Sequence, residues 1–398
     1  MLLLANPIQN YAWGSHTLLA QLLGRPPAEL PEAELWIGAH PRAPSRAPGG
    51  RSLLELIAAD PAGMLGPAVQ RRFGARLPFL LKVLAVESPL SLQAHPNLEQ
   101  ARAGYAREQA AGIALDAHER TYKDDNHKPE LLCALSRFET LSGFRAPLDT
   151  AQLFSELGLA DLALVTALRS GQPEPLRVAF SDLMTLAPEA RARLSAEVVA
   201  RSERASHAAS PFQGSFAWAA RLGRAYPGDI GAVASLLLNH LVLEPLEAVY
   251  LEAGRLHAYL SGTGVEIMAN SDNVLRGGLT PKHIDVAELS RVLRFDAPPV
   301  SITRTRRRSE VELAYETDAC EFCLSRLDLE PQHPIRLDVQ GPELLLCVSG
   351  QLSVLPTLDA QGAGSLSQGQ ACFLPASAGS VRLEGGARVF RAGVGALA

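Results

Sequence analysis

Gln93 and His95 stand two residues apart in SLQAHPNLEQA (91–101), immediately before a Pro-Asn break. In an extended chain, residues i and i+2 point to the same face. A strand ending here therefore aims an amide oxygen and an imidazole into one space, where the pair can bind a metal, bind a sugar or satisfy its own hydrogen bonds. A second cluster, YKDDNHKPELL (122–132), holds Asp124, Asp125, His127, Lys128 and Glu130 between a turn and an apolar stretch. Pro129 biases Lys128 towards an extended conformation, so Lys128 and Glu130 share a face if the strand continues. The third cluster is GRLHAYLSGTGVEIMANSDNVLRGGLTPKHID (254–285). His257 opens a strand-like segment, Glu266 lies on the next one, Arg276 sits in a Gly-flanked loop and Lys282 follows. An Arg and a Lys around glycines suit an anion, and Arg can grip phosphate through two parallel hydrogen bonds.

Together the clusters supply a carboxylate, two imidazoles and an amide oxygen, a nitrogen and oxygen set suited to Zn²⁺. Such a set need not fill every coordination position, so water or substrate hydroxyls can still reach the metal. These residue types point to an anion-binding metalloprotein of β class. Two histidines and one carboxylate would also suit an Fe(II) oxygenase, although Gln93 and the Arg276/Lys282 pair weigh against that. A sugar-phosphate sensor without turnover also fits these residues.

The elements that must position these groups are legible in outline. LPFLLKVLAV (77–86) predicts a buried strand, and Asn97 predicts the cap of a helix over LEQARAGYAREQAA. From Arg145 to about Pro227, Ala and Leu recur at three- and four-residue spacing, which predicts an all-helical block. The apolar run Ile230–Leu243 reads as a buried helix with Asp229 at its start, and strand character is expected to return after Leu243. Because the suggestive residues flank the helical block, the block is expected to interrupt one β-domain. RTRRRSEVE (304–312) reads as an exposed connector. Short alternating segments such as IRLDV, ELLLCVSGQLSVL and GQACFLPA then predict a second, smaller β-domain. Trp13 and Trp36 read as packing anchors that could also line a sugar pocket.

With 398 residues, 47% hydrophobic and 20% charged, the chain has a globular composition with room for two or three domains. A net charge of −5 gives no reason to expect a nucleic-acid or anionic-membrane partner. The first residues lack a basic n-region and a long apolar run, and five scattered cysteines read as reduced thiols. Both features predict a cytoplasmic protein. The pair Cys320 and Cys323 reads as two ordinary strand cysteines.

Six ordered blocks resemble the type I mannose-6-phosphate isomerases. They are QNYAWGSH (9–16), ELWIGAHPRAPS (34–45), PFLLKVLAVESPLSLQAHPN (78–97), YKDDNHKPEL (122–131), YPGDIG (226–231) and the run 257–286. The likeness is looser after about Arg304. It implies a mainly β fold with an all-α insertion: a discontinuous catalytic cupin (jelly-roll) domain over 1–144 and 235–303, a helical insertion over 145–234, and a cupin-like domain over 304–398. It also implies one zinc ion per chain on Gln93, His95, Glu130 and His257. Arg276 becomes the catalytic arginine, and Ser91, Lys128, Glu266 and Lys282 become substrate-binding residues. The implied reaction interconverts mannose 6-phosphate and fructose 6-phosphate by proton transfer between C2 and C1 through an enediol(ate). Lys128, Glu266 or a metal-held hydroxyl could serve as the base. The only implied partner is the sugar phosphate. A monomer is compatible with the chain, and the product could feed mannose catabolism or GDP-mannose synthesis.

Overall fold

Phe79–Val86 is buried along its whole length, as an apolar strand in a two-sided environment must be. The computed structural model describes residues 1–299, 301–357 and 363–396. Its strands in chain order begin with β1 (Leu2–Leu4), β2 (Ile8–Gln9), β3 (Glu34–Ile37), β4 (Phe79–Val86), β5 (Leu92–Ala94) and β6 (Glu130–Ala134). They continue with β7 (Phe138–Phe144), β8 (Leu238–Leu243), β9 (Ala248–Leu251), β10 (His257–Ala269) and β11 (Leu275–Gly278). A further group comprises β12 (Thr305–Arg307), β13 (Glu312–Tyr315), β14 (Cys323–Leu329) and β15 (Ile335–Asp338). β16 (Glu343–Pro356), β17 (Gly364–Ser367), β18 (Ala371–Leu374) and β19 (Ser380–Gly393) complete the set.

The fold is mainly β, in two sheets with helices. Strands β2 to β11 form a ten-stranded sheet whose hub is β10. The first part of β10 pairs with β5 and β7, and the part from Gly262 onward pairs with β4 and β6. The strand changes partners at a bulge between Tyr259 and Ser261, beside Gly262 at φ 120°. A Cβ at Gly262 would lie 2.8 Å from the Arg137 carbonyl oxygen, so both the dihedral and the space require glycine. The two expected strand-like segments are therefore one bent strand serving two half-sheets.

Alternation along these strands sends successive side chains to opposite faces. Leu92, Ala94, Leu256, Ala258 and Leu275 join an apolar core shared with Phe154, Phe180, Phe216 and Leu222 of the helical region. The helices of that region include Pro147–Glu156, Pro175–Met184, Pro188–Ala205 and Gln213–Ala225. Leu35, Leu81, Leu131, Cys133, Val265 and Ile267 join a second core with Phe322, Leu324, Leu344 and Phe390 of the other sheet. One half-sheet is thus backed by helices and the other by the second sheet. What remains inside, between the two half-sheets, is the opposite residue set, and much of it is polar.

The second sheet runs β1-β18-β16-β19-β14-β13-β12, with β15 on β19 and β17 on β16. Its edge strand β1 comes from the extreme N-terminal segment, pairing Leu2–Leu4 with β18.

Two sequence expectations change. Ile230–Leu243 is not one helix: Gly231–Ala234 is helical, a 3-10 turn follows, and Leu238–Leu243 is β8. A short apolar run does not distinguish buried helix from buried strand. Here pairing with β7 decides, with the Asn239 amide donating to the carbonyls of Ser142, Gly143 and Phe144. RTRRR is exposed as expected, yet Thr305–Arg307 is an edge strand paired with β13. Arginines suit an edge because charge discourages further strand addition.

Candidate metal centre and anion pocket

His95, Glu130 and His257 converge in the interior from the residue following β5, from β6 and from β10. Among the described residues they are the only trio of such groups whose ligand atoms all lie within 4.8 Å of one another. His95 Nε2 lies 3.3 Å from Glu130 Oε1, and His257 Nε2 lies 3.5 Å from Glu130 Oε2. Each imidazole is fixed from behind by a backbone carbonyl. His95 Nδ1 donates to Asn273 O at 2.7 Å and His257 Nδ1 donates to Arg255 O at 3.0 Å. That leaves each Nε2 lone pair directed at the carboxylate, the usual support of a metal-binding histidine.

The fit to a metal rests on His95. Its Nε2 is buried and has no hydrogen-bond partner among the described residues, a costly state for a polar atom. Burial, and then the Lys128 charge, lowers its pKa to about 4, so the ring is neutral and offers a lone pair. Burial alone would push the Glu130 carboxyl up, but Lys128, His95 and His257 hold it well below the usual range. A neutral imidazole beside an ionised carboxylate suits a divalent cation. Gln93 is the register partner of His257 on one side and of Arg276 on the other, which puts all three in one row.

Above this trio opens a cavity of about 970 Å³ whose walls include Trp36, Lys82, Ser91, Gln93, Lys128 and Arg276. Lys282 stands at the rim and Trp13 also contributes. Lys128 Nζ is 2.8 Å from Glu130 Oε1, so these residues share a face as the sequence predicts. Arg276 is half-buried and no acidic group acts on it; burial lowers its pKa. The Lys282 ammonium is lowered first by Arg276 and then by burial. Two cations that repel one another at a cavity wall suit an anion. A larger cavity, about 1100 Å³, lies along the second sheet between Arg308 and Glu343, away from the histidine trio.

Glu266 lies away from the cavity wall. It is 3.0 Å from Tyr259 Oη and 3.3 Å from Lys82 Nζ, and burial raises its pKa more than Lys82 lowers it. Lys82 also reaches Glu34 at 3.4 Å, stands over the Trp36 ring and lies on the cavity wall. Lys82, Glu34 and Tyr259 are residues that sequence reasoning missed. The signal for Lys82 was present: a single charge inside PFLLKVLAV has no reason to be buried unless it is paired.

A model of the phosphomannose isomerase type I catalytic domain matches residues 1–147. Mannose-6-phosphate isomerase of Escherichia coli K12 is 38% identical over 98% of each chain. The chain belongs to the type I phosphomannose isomerase family. The Salmonella typhimurium member is 39% identical over 98% of each chain, so the likeness extends through the C-terminal region. A crystal structure of mannose 6-phosphate isomerase bound with zinc and yttrium superposes with a TM-score of 0.90, covering 100% of both chains at 37% identity. No described helix is long and apolar enough to cross a membrane.

Proposed function

We propose that the protein interconverts mannose 6-phosphate and fructose 6-phosphate at a zinc ion held by Gln93, His95, Glu130 and His257. The observation carrying this reading is the buried, partnerless His95 Nε2 facing an ionised Glu130 below a cavity lined by unmatched cations. Relatives named mannose-6-phosphate isomerase and a zinc-bound structural neighbour support it.

Moving a proton from C2 to C1 is hard because a carbon acid beside a carbonyl is weak and the enediol(ate) carries charge. When bound, zinc supplies Lewis-acid polarisation of the sugar oxygens. Arg276, with Lys282 at the rim and Ser91 on the wall, holds the phosphate or hydroxyls and converts remote binding into positioning. The Arg276 charge also stands ready for negative charge developing on the sugar. Of the two side chains among the three candidate bases, Lys128 lines the cavity beside Glu130, so we assign proton handling to Lys128. Glu266 acts one step back by anchoring Lys82.

We read the ten-stranded unit as a cupin jelly roll built from 1–144 and 235–303 and interrupted by the helical insertion 145–234. The segment 304–398, joined by β1, is its cupin-like companion. The test is isomerisation of mannose 6-phosphate by purified protein, before and after chelation and again with added zinc. Activity lost to the chelator and restored by zinc supports the assignment; folded, zinc-replete protein without turnover refutes it.

A further inference from the structure

β6 stands between the metal centre and the second sheet. Glu130 faces the interior, whereas Leu131 and Cys133 pack into the core shared with Phe322 and Leu324. The same alternation operates just upstream, where Lys128 turns to the cavity and His127 turns away from it. His127 Nε2 donates to Glu321 Oε1 at 2.8 Å. Glu321 belongs to the link between β13 and β14 of the second sheet, next to the fully buried Phe322. The Glu321 side chain is 9% exposed, and its Oε2 is buried with no hydrogen-bond partner among the described residues. Together they line a small cavity behind the metal centre with Pro129, Tyr250 and Cys320.

A hydrogen bond from an imidazole to one oxygen of a buried carboxylate is directional as well as strong. It is a good device for fixing a backbone. From His127 to Glu130 the chain carries one positioned group behind, His127, and two presented in front, Lys128 and Glu130. We infer that Glu321, acting through His127, is a positioning residue that sets Lys128 and Glu130 and so couples the second sheet to the metal centre. The inference rests on the reading of Glu130 as a metal ligand and Lys128 as a proton-handling group.

The experiment uses the full chain carrying Glu321→Ala, His127→Ala, both together, and Glu321→Gln. Asp318→Asn, which alters the nearby Tyr250–Asp318 bond, is the control. Zinc affinity is read by chelator competition, kcat and KM are read separately, and the metal-free protein is melted. Each alanine variant should weaken zinc binding by about 10–100-fold, the usual effect of changing a group that supports a ligand. Each should lower kcat with KM little changed. The double variant should be no worse than either single one, since both break one link. Glu321→Gln keeps an acceptor for His127 and should recover most of the loss, while Asp318→Asn should match wild type. A lower melting temperature with wild-type zinc affinity and kcat overturns the inference. Should Glu321→Ala fail to fold, the part-exposed His127→Ala breaks the same link and decides in its place. If wild type binds zinc but turns over no mannose 6-phosphate, the isomerase reading fails while the zinc-affinity comparison still decides the coupling.

Discussion

His257 and Gln93 face each other in register across β10 and β5, and Gln93 faces Arg276 in register on its other side. Directly opposed residues keep their Cβ atoms within about 5.5 Å, so one short strand brings the His257 imidazole and the Arg276 guanidinium alongside the same amide. Replacing Gln93 with Ala should leave the strand intact, because Leu92 and Ala94 on its other face anchor it in the helical core. Zinc affinity should fall by at least the about 10–100-fold expected for an outer-shell change. Chelator competition on folded Q93A checks this, and an unchanged zinc affinity would remove Gln93 from the ligand set.

Glu130 has a double role, as the carboxylate between two imidazoles and as the counter-charge of Lys128. Glu130→Ala should abolish zinc binding and also leave the buried Lys128 ammonium uncompensated. Breaking a buried pair from one side costs about 3–5 kcal/mol. The metal-free variant should therefore unfold at lower urea than the metal-free wild type. Equal midpoints would show that Lys128 finds another partner.

Arg276 should behave in the opposite way. It is half-buried with no acidic group acting on it, so Arg276→Met removes an uncompensated cation and should leave the melting point unchanged or raised. Activity should fall by about 100–1000-fold, the scale of losing one transition-state charge partner. Inorganic phosphate should stabilise wild type by about 2.7 kcal/mol at one hundred times its dissociation constant and stabilise the variant far less. A thermal shift that phosphate produces equally in both proteins would place the anion elsewhere.

How much of this was legible follows from chain geometry. The pairs at 93/95 and 128/130 could be read because an i, i+2 relation in a strand needs no tertiary information. That Asn97 caps a helix was equally local, and its side chain accepts from the Gln100 N–H. What could not be read depends on contacts distant in sequence. Lys82 carries a visible signal, but its partners Glu34 and Glu266 lie on strands 48 and 184 residues away by number. Likewise, 230–243 changes from helix to strand because β7 is there to pair with it. Nothing local to His127 shows that it meets Glu321, 194 residues further along the chain.

Away from the metal, Glu139 gives a pH prediction. His240 Nε2 donates to it at 2.8 Å and Trp218 Nε1 at 2.6 Å, tying β7 to β8 and to the helix Gln213–Ala225. The His240 bond, opposed by burial and helped by Trp218, lowers the Glu139 carboxyl from 4.5 to about 2. A carboxyl lowered in the fold contributes stability that is present above its unfolded value and lost as pH falls towards the folded one. Glu139→Gln should cost about 1.5–3 kcal/mol at neutral pH, typical of a bond to a charged group. The gap to wild type should close as pH drops from 4.5 towards 2. A gap independent of pH across that window would mean that shape rather than charge holds the junction.

Lys82 makes the strongest electrostatic prediction, because it is the cation between two carboxylates, Glu34 and Glu266, all largely buried. Burial works against its charge, yet the two carboxylates hold the ammonium above its ordinary value. Lys82→Met keeps an apolar stem of similar length but removes the ammonium from both carboxylates and from the Trp36 ring, at about 3–5 kcal/mol. Glu266 is already raised by burial and should rise further once Lys82 no longer offsets it. A carboxyl raised in the fold stabilises at pH below its unfolded value and loses that contribution as pH increases through the folded value. The deficit of Lys82→Met should therefore shrink on acidification, as the Glu139→Gln gap does, although there wild type loses a favourable charge and here the variant sheds an unfavourable one. Adding Glu266→Gln to Lys82→Met should recover stability, since one of the two stranded charges is then gone. If the double variant is no more stable than Lys82→Met alone, Glu34 rather than Glu266 is the carboxylate that Lys82 neutralises.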